Sequence, residues 1–439
     1  MQKSMGVSNQ NYHYILTSLF VICVCMVIYA SYITGQYGEY FSINPVHKHM
    51  HWTTPTDSNE TSIKRVTSQN ETAENTQILP YKYILLWNKV SWFSRKSAGA
   101  ADICGNCPII RDRNQINGQH TGAVLVEWES NPQNPPNSKQ RRFDQLYVWW
   151  GMEGPSITKK GNPERFKLYT DNFFNATLTF RRDSTFYNPV WTWSGNISIA
   201  NLVRNGFGGL EKDLGKLLQR KTKVAAWMVS NCALGSNAKR RIAFSQDLID
   251  NGLKLDRFGK CFPKSGSTPR RYEPEFFRFI EQYKFYMSFE NAIHCTDYIT
   301  EKFQINALAA GVVPVVMGAR KADYQAIAPP HSFIHVDDFA SAKDLVEYLE
   351  YLDSNHTAYA EYLAWRTMDP YDLYPYGRHI GFCDLCRTMF GVSPDDHRPF
   401  SEIYRLRNSS YPANRPIRQY HVKSIYDWWF VSQTTECLG

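Results

Sequence analysis

The chain has 439 residues, of which 43% are hydrophobic and 21% charged, with a formal net charge of +8. That composition is the composition of a globular protein with about two or three domains and a sizeable core, and it excludes an intrinsically disordered chain. The positive charge suits an anionic substrate, but mildly basic secreted domains share it, and without a basic block or a nucleic-acid motif it gives no ground for a nucleic-acid partner.

Residues 1–14 read as a short cytoplasmic tail. Ile15 to Ile33 holds no charged residue over roughly the length needed to cross a bilayer, so a membrane-spanning signal-anchor is predicted at 15–33. A cleavable signal peptide ending at Ala30 is the alternative, disfavoured by the length of the apolar run and by an n-region offering little beyond Lys3. From Thr34 to Leu79 the chain is rich in Thr, Ser, Asn and Gln without helical or strand period, which predicts an extended stem.

A first domain at 80–220 is expected to contain strands at Tyr81 to Asn88, Ala123 to Trp128 and Leu146 to Trp150. A second, at 221–395, opens with a strand at Val224 to Val229 and helices at Lys239 to Ile249 and Phe276 to Tyr283. Phe285 to Phe289 is an apolar run short enough for a buried strand. Tyr298 to Ala310 follows as a helix that stops at Gly311, and Val312 to Val316 is the next strand. Ser341 and Asp344 make a capping-box-like start for a helix at Asp344 to Leu352, with Leu345, Val346, Leu349 and Leu352 on one face. Residues 396–439 form a carboxy-terminal extension. The alternation predicts an α/β protein of two domains facing a cleft.

An oxidising lumen is the expected compartment. Sequons stand at Asn59, Asn70, Asn175, Asn196, Asn355 and Asn408, each a candidate for a surface glycan. Of ten cysteines, Cys23 and Cys25 lie in the predicted membrane segment, while Cys104 with Cys107 and Cys383 with Cys386 form two C-x-x-C pairs. Four such thiolates suit tetrahedral Zn²⁺, but in a glycosylated lumenal protein disulfides are the expected state.

The stretch from Phe285 to Gly318, FYMSFENAIHCTDYITEKFQINALAAGVVPVVMG, packs a strand, a polar loop, a helix start and a second strand into one span. Polar groups thereby cluster at a strand's carboxyl end, where open α/β sheets bind nucleotides. The wording FEN, DYITEK, NAL, AG and VPVV, extended by PPHSFIHVDDFASAKDLVEYLEYL, resembles the donor-site signature of the α1,3-fucosyltransferases, with matching blocks from about Tyr81 to about Cys386.

The resemblance implies a GT-B fold of two Rossmann-like domains and transfer of L-fucose from GDP-β-L-fucose to the 3-hydroxyl of GlcNAc. The acceptors implied are N-acetyllactosamine or LacdiNAc units on glycoproteins or glycolipids. A core enzyme acting on the innermost N-glycan GlcNAc, or a membrane-tethered glycan-binding protein without turnover, are the competing readings. The same resemblance implies a single-pass type II protein of the Golgi membrane with a lumenal catalytic domain. It further implies bridges from the carboxy-terminal cysteine pair to Cys104 and Cys107, and a third between Cys232 and Cys261.

Fucosyl transfer needs a base for the acceptor hydroxyl and positive groups for the departing GDP. In WWGMEGPS, Glu153 follows a strand end and resembles the family's proposed base, although Gly154 stands where many relatives carry serine. NATLTFRRDS resembles another family block on the first domain; Arg181, Arg182 and Asp183 in it read either as shaping the cleft or as a plain surface ion-pair cluster. In SNCALGSNAKRRIAF the family's donor-binding arginine falls on Arg241, whose guanidinium suits a diphosphate. Asn291, Tyr298, Glu301 and Lys302 map onto further donor-binding positions. Lys302 would balance phosphate charge, Tyr298 would offer its hydroxyl to the phosphates, and Glu301 would accept from ribose or fucose hydroxyls.

With Glu153 as the one strong base candidate, single displacement with inversion is expected. Cys295 has no evident His and acid partners for a nucleophilic role, and His294 beside it reads as a loop residue. No Asp-x-Asp metal motif is present, and Asp337 and Asp338 are expected on the domain surface. No tightly bound cofactor or protein-ligated metal is expected, which leaves stimulation by divalent cations open.

Overall fold

The computed structural model describes residues 81–88, 107–127, 134–160, 166, 169, 171–189, 213–233, 236–263, 266–271, 273–368, 381–392 and 421–438. The predicted anchor and stem, Cys104, and the sequons at Asn59, Asn70, Asn196 and Asn408 lie outside these residues. Among the described residues no helix is long and apolar enough to cross a membrane.

Six strands, β1 (Tyr83–Leu86), β2 (Ile109–Ile110), β3 (Thr121–Glu127), β4 (Leu146–Gly151), β5 (Ala176–Thr179) and β6 (Phe186–Tyr187), form a sheet in the order β2-β1-β3-β4-β5-β6. Every pairing in it is parallel. Five more, β7 (Lys223–Met228), β8 (Leu255–Phe258), β9 (Tyr283–Phe289), β10 (Val313–Met317) and β11 (Ile334–His335), form a second sheet ordered β11-β10-β9-β7-β8. It too is wholly parallel. Its strand order reverses between β7 and β9, and in such sheets the crevice for a ligand opens at the carboxyl ends of the two strands that flank the reversal.

Parallel strands are covered on both faces, so β9 and β10 read as continuous apolar runs rather than alternating ones. Tyr286 and Val316 pack on one side with Phe276, Phe277, Ile280 and Phe303. Phe285, Met287, Phe289, Val313 and Val315 pack on the other with Leu345, Val346, Leu349 and Leu352. Those four leucine and valine side chains come from the helix Ala342–Ser354, whose N-cap Ser341 accepts from the Asp344 amide as expected.

In the first sheet Leu146, Val148 and Trp150 of β4 face Phe382, Leu385 and Met389 of the helix Gly381–Met389. Tyr147 and Trp149 face Ile425, Trp429 and Phe430 of the carboxy-terminal segment. Both late pieces of the chain therefore cover the first sheet. The sequence alone grouped Gly381–Met389 with the second domain; its apolar face is completed by β4 instead.

Local boundaries differ from expectation where tertiary contacts override propensity. The helix predicted at Phe276 to Tyr283 is Pro274–Ile280, because Tyr283 already pairs with Lys223 in the sheet. The helix predicted from Tyr298 begins only at Glu301, capped by Thr300, and continues as a π-helix over Gln304–Ala309. It stops where expected: Gly311 has φ +70, a conformation that costs a side-chain-bearing residue more than glycine. At the Asn175 sequon the side chain is buried and its Oδ1 accepts the Tyr147 amide at 2.8 Å, fastening β4 to the start of β5. Asn355 is half-buried at the end of the helix Ala342–Ser354, with Oδ1 capping Ala358 at 3.1 Å and Nδ2 donating to the Tyr351 hydroxyl at 3.1 Å.

Candidate active site

The carboxyl ends of the two sheets meet. Glu153, two residues beyond β4, accepts a hydrogen bond of 3.0 Å from the Tyr298 hydroxyl in the loop beyond β9. Arg182, just beyond β5, reaches across at two further points: Nε donates to Asp297 Oδ1 at 2.6 Å and Nη2 to Asp323 Oδ1 at 2.9 Å, while its amide donates to Asp297 Oδ2 at 2.8 Å.

Glu153 is half-buried, and burial is the main cause that pushes its carboxyl above its usual range. The Tyr298 hydrogen bond and the charge of Lys302 pull the other way, and Glu301 and Glu290 reinforce the rise. A carboxylate whose proton affinity is raised above its usual range is a stronger base once ionised, which suits general-base work. Among the described residues no other hydrogen bond is made by the Glu153 side chain.

Behind it lies a buried ionic cluster at the switch point. Glu290, the first residue after β9, is fully enclosed; its carboxylate accepts from the Thr300 hydroxyl at 2.8 and 2.9 Å, the Thr300 amide at 2.8 Å and Lys302 Nζ at 2.9 Å. Gly318 makes room for it, since a Cβ there would stand 2.7 Å from Glu290 Cγ. Lys302 also donates to Thr300 Oγ1 at 2.7 Å and pairs with Glu301 at 3.5 Å. Arg271 donates to Glu301 at 3.3 Å. Burial opposes the charge on Lys302, but Glu290 and Glu301 outweigh it and raise the ammonium's pKa. Burial likewise works to raise Glu301, but Lys302 and Arg271 hold it below its usual range.

Arg241 is 1% exposed, on the helix Ser236–Asp250 that follows β7. Its Nη1 donates to Phe289 O at 2.9 Å and Nη2 to Asn231 O at 2.7 Å, while Nε has no partner among the described residues. The guanidinium thus ties together the carboxyl ends of β7 and β9, the two strands flanking the reversal, with one buried N–H unspent. Arg240 beside it is exposed. Asn291 is half-buried and makes no side-chain hydrogen bond among the described residues.

The site therefore gathers Glu153, Arg241, Asn291, Tyr298, Glu301 and Lys302 around one junction. The Tyr298 hydroxyl is engaged by Glu153 in this structure. Arg181 turns away from the junction: it pairs with Asp183 and lies 4.2 Å over the Trp428 ring of the carboxy-terminal segment. Missing from the sequence reading as site members were Glu290, Thr300 and Arg271. Glu290 and Thr300 had a signal, the acid directly after the strand and the T-E-K cap before the helix. Arg271 had none.

The cysteines among the described residues form bridges. Cys107 is bonded to Cys386 and Cys232 to Cys261, and Cys383 is disulfide-bonded as well. A bond outside the expected set joins Cys295 of the loop beyond β9 to Cys437. Among the described residues no group of three or more His, Cys, Asp or Glu could hold a metal ion.

The chain matches two known family models. Residues 218–403 match the model of glycosyltransferase family 10 (fucosyltransferase), carboxy-terminal part, and residues 80–190 match the fucosyltransferase amino-terminal model. The chain is 33% identical over 329 residues to 3-galactosyl-N-acetylglucosaminide 4-alpha-L-fucosyltransferase FUT3 of Pan troglodytes, covering 71% of this chain and 77% of that protein. It is 36% identical over 319 residues to 4-galactosyl-N-acetylglucosaminide 3-alpha-L-fucosyltransferase FUT6 of Homo sapiens, covering 69% and 77%. A crystal structure of an alpha1,3-fucosyltransferase with GDP is similar at 18% identity and a TM-score of 0.46, covering 79% of this chain and 96% of that one. The chain belongs to glycosyltransferase family 10, the fucosyltransferases.

Proposed function

We propose that this fucosyltransferase moves L-fucose from GDP-β-L-fucose to the 3-hydroxyl of GlcNAc in an N-acetyllactosamine or LacdiNAc type acceptor, by single displacement with inversion. The observation that carries the reading is the Glu153–Tyr298 contact, which sets a carboxylate of raised pKa from the first sheet against the loop at the second sheet's switch point. In this reading the two sheets are the two halves of a GT-B enzyme. GDP occupies the crevice at the carboxyl ends of β7 and β9, served by Arg241, Asn291, Glu301 and Lys302. The unspent Nε of Arg241 is suited to a diphosphate oxygen.

Glu153 takes the proton of the acceptor hydroxyl as that oxygen bonds to the anomeric carbon. The C–O bond to GDP breaks on the opposite face, and the electron pair leaves with the diphosphate, toward Arg241 and Lys302. Tyr298 holds one oxygen of Glu153 so that the other faces the acceptor. The protein is anchored by 15–33 in the Golgi membrane with this site in the lumen.

The test is GDP release with GDP-fucose and a small acceptor panel holding 4-galactosyl, 3-galactosyl, GalNAc-capped and core N-glycan GlcNAc. Release dependent on the 4-galactosyl or GalNAc-capped acceptors, with α1,3 linkage by product analysis, is the expected result. Turnover confined to the core glycan, or GDP-fucose binding without turnover, would overturn it.

A further inference from the structure

The loop Asn291–Thr300 contains two non-glycine residues in the left-handed region, His294 at φ 55 and Asp297 at φ 59. Side chains disfavour that conformation, so a loop using it twice depends on contacts from outside itself. Arg182 supplies them at Asp297. At His294 they come from the far end of the chain.

The carboxy-terminal segment is rooted in the first sheet. Trp429 packs at 4.6 Å on Trp149 and 5.4 Å on Phe180, and its Nε1 donates to Thr158 Oγ1 at 2.8 Å. Phe180 in turn packs at 5.1 Å on Tyr298. The next residues then cross to the loop. Thr434 Oγ1 donates to His294 O at 3.4 Å and Gln433 Oε1 accepts from the Thr296 amide at 3.2 Å. Glu436 pairs with His294 Nδ1, and Cys437 closes the disulfide to Cys295. On its other side His294 Nε2 meets Asp337 Oδ2 at 2.9 Å.

We propose that Gln433, Glu436 and Cys437 are positioning residues of the donor site: the end of the chain is a strap, rooted in the first sheet, that holds the loop Asn291–Thr300 in its donor-binding shape. It rests on the reading of that loop as the donor loop. None of the strap residues touches the reacting atoms; they act through Tyr298 and Asn291, which the loop carries.

The ionic part of the strap is sensitive to pH. Glu436 and Asp337 face His294 directly. Asp337 has His335 behind it, whose Nδ1 accepts the Asp337 amide at 3.2 Å, and the positive charge of Arg240 acts on Glu436. Burial alone would depress the imidazolium, but the two carboxylates outweigh it and raise the pKa of His294. The two charge-assisted bonds are thus in place below that raised value and are lost as pH rises through it.

The experiment measures the dissociation constant for GDP, KM for GDP-fucose and kcat between pH 6 and 9. It compares the full chain with Cys295→Ser/Cys437→Ser and with Glu436→Gln, which keeps every cysteine and so covers a folding failure of the first. If removing the bond leaves about a tenth of molecules with the loop in place, the GDP dissociation constant and donor KM rise about tenfold, with little change in kcat. Glu436→Gln raises donor KM roughly 2- to 5-fold at pH 6.5, and it shifts the rise of KM with pH to lower pH, a change that a merely structural residue would not produce. Wild-type affinity in both variants, with an unshifted KM profile in Glu436→Gln, would overturn the proposal. Failure of the unaltered chain to bind GDP would instead sink the donor-loop reading itself.

Discussion

The Tyr298 hydroxyl donates to Glu153 Oε2 over 3.0 Å, joining the two sheets through the side chain best placed to act as base. Tyr298 is buried among Trp149, Phe180 and Trp429, so this hydroxyl has little freedom to point elsewhere. The bond stabilises the charged carboxylate against a burial that opposes it.

Glu153→Gln keeps the size of the side chain and can still hydrogen-bond Tyr298, but it cannot take a proton at neutral pH. Loss of a general base typically costs about 10² to 10⁴ in rate. Turnover at saturating acceptor is expected to fall by that factor while GDP affinity, measured by calorimetry, stays as it was. Near-normal turnover would place the base elsewhere.

The pH profile carries a sign. A base with a raised pKa is active when deprotonated, so kcat/KM is expected to fall as pH drops through that pKa, above the ordinary carboxylate value of about 4.3. Tyr298→Phe removes a hydrogen bond to the charged form and therefore moves the acid limb to higher pH. A limb that stays in place in the phenylalanine variant would show that Tyr298 does not tune Glu153.

Stability follows from the same shift. A carboxyl whose folded pKa lies above its unfolded one favours folding at low pH, and that contribution is lost as pH rises from the unfolded to the folded value. Glu153→Gln removes the penalty, so its melting temperature at pH 7.5 is expected to equal or exceed that of the parent, with the difference vanishing below about pH 4. A clear drop in melting temperature at pH 7.5 would mean that Glu153 is held by partners which outweigh its burial.

How far the sequence foretold this depends on the range of the interactions. Strands β7, β9 and β10, and the helix capped by Ser341, were legible because each is specified by a local apolar run with turn or capping residues at its ends. Glu153 was legible as a carboxylate at a strand end. Its tie to Tyr298 was not, since 145 residues separate them and only the meeting of two sheets brings them together. Arg241 shows the opposite case: the residue was singled out, but its fastening to Phe289 O and Asn231 O depends on backbone positions no pattern encodes. The Cys295–Cys437 bond left one trace. Once two cysteines are assigned to the membrane segment and six to expected bridges, these are the two that remain of ten.

Those bridges lead to a further expectation. Cys107–Cys386 spans 279 residues and fastens the helix Gly381–Met389 to the first sheet. Peptide mapping of the unreduced protein should return it together with Cys232–Cys261 and Cys295–Cys437. Replacing Cys107 and Cys386 by alanine should lower stability by roughly 2 to 5 kcal/mol, read by urea unfolding. Free thiols at these positions, or bound zinc, would contradict the frame.

Lys302 needs two variants to separate charge from structure. Its Nζ is the ammonium partner of the fully enclosed Glu290, so Lys302→Ala alone leaves a buried carboxylate uncompensated and is expected to lower stability by about 3 to 5 kcal/mol. The double variant Glu290→Gln/Lys302→Met removes both charges and should recover most of that loss. Were Lys302 only a structural partner of Glu290, the double variant would also recover GDP affinity. If instead the ammonium serves the diphosphate, the double variant folds well and still binds GDP weakly, since a charge-assisted hydrogen bond of about 1.5 to 3 kcal/mol is missing, which is roughly 10- to 150-fold in the dissociation constant. Stable folding with weakened GDP binding is the outcome expected here, and parental GDP affinity in the double variant would remove Lys302 from the donor site.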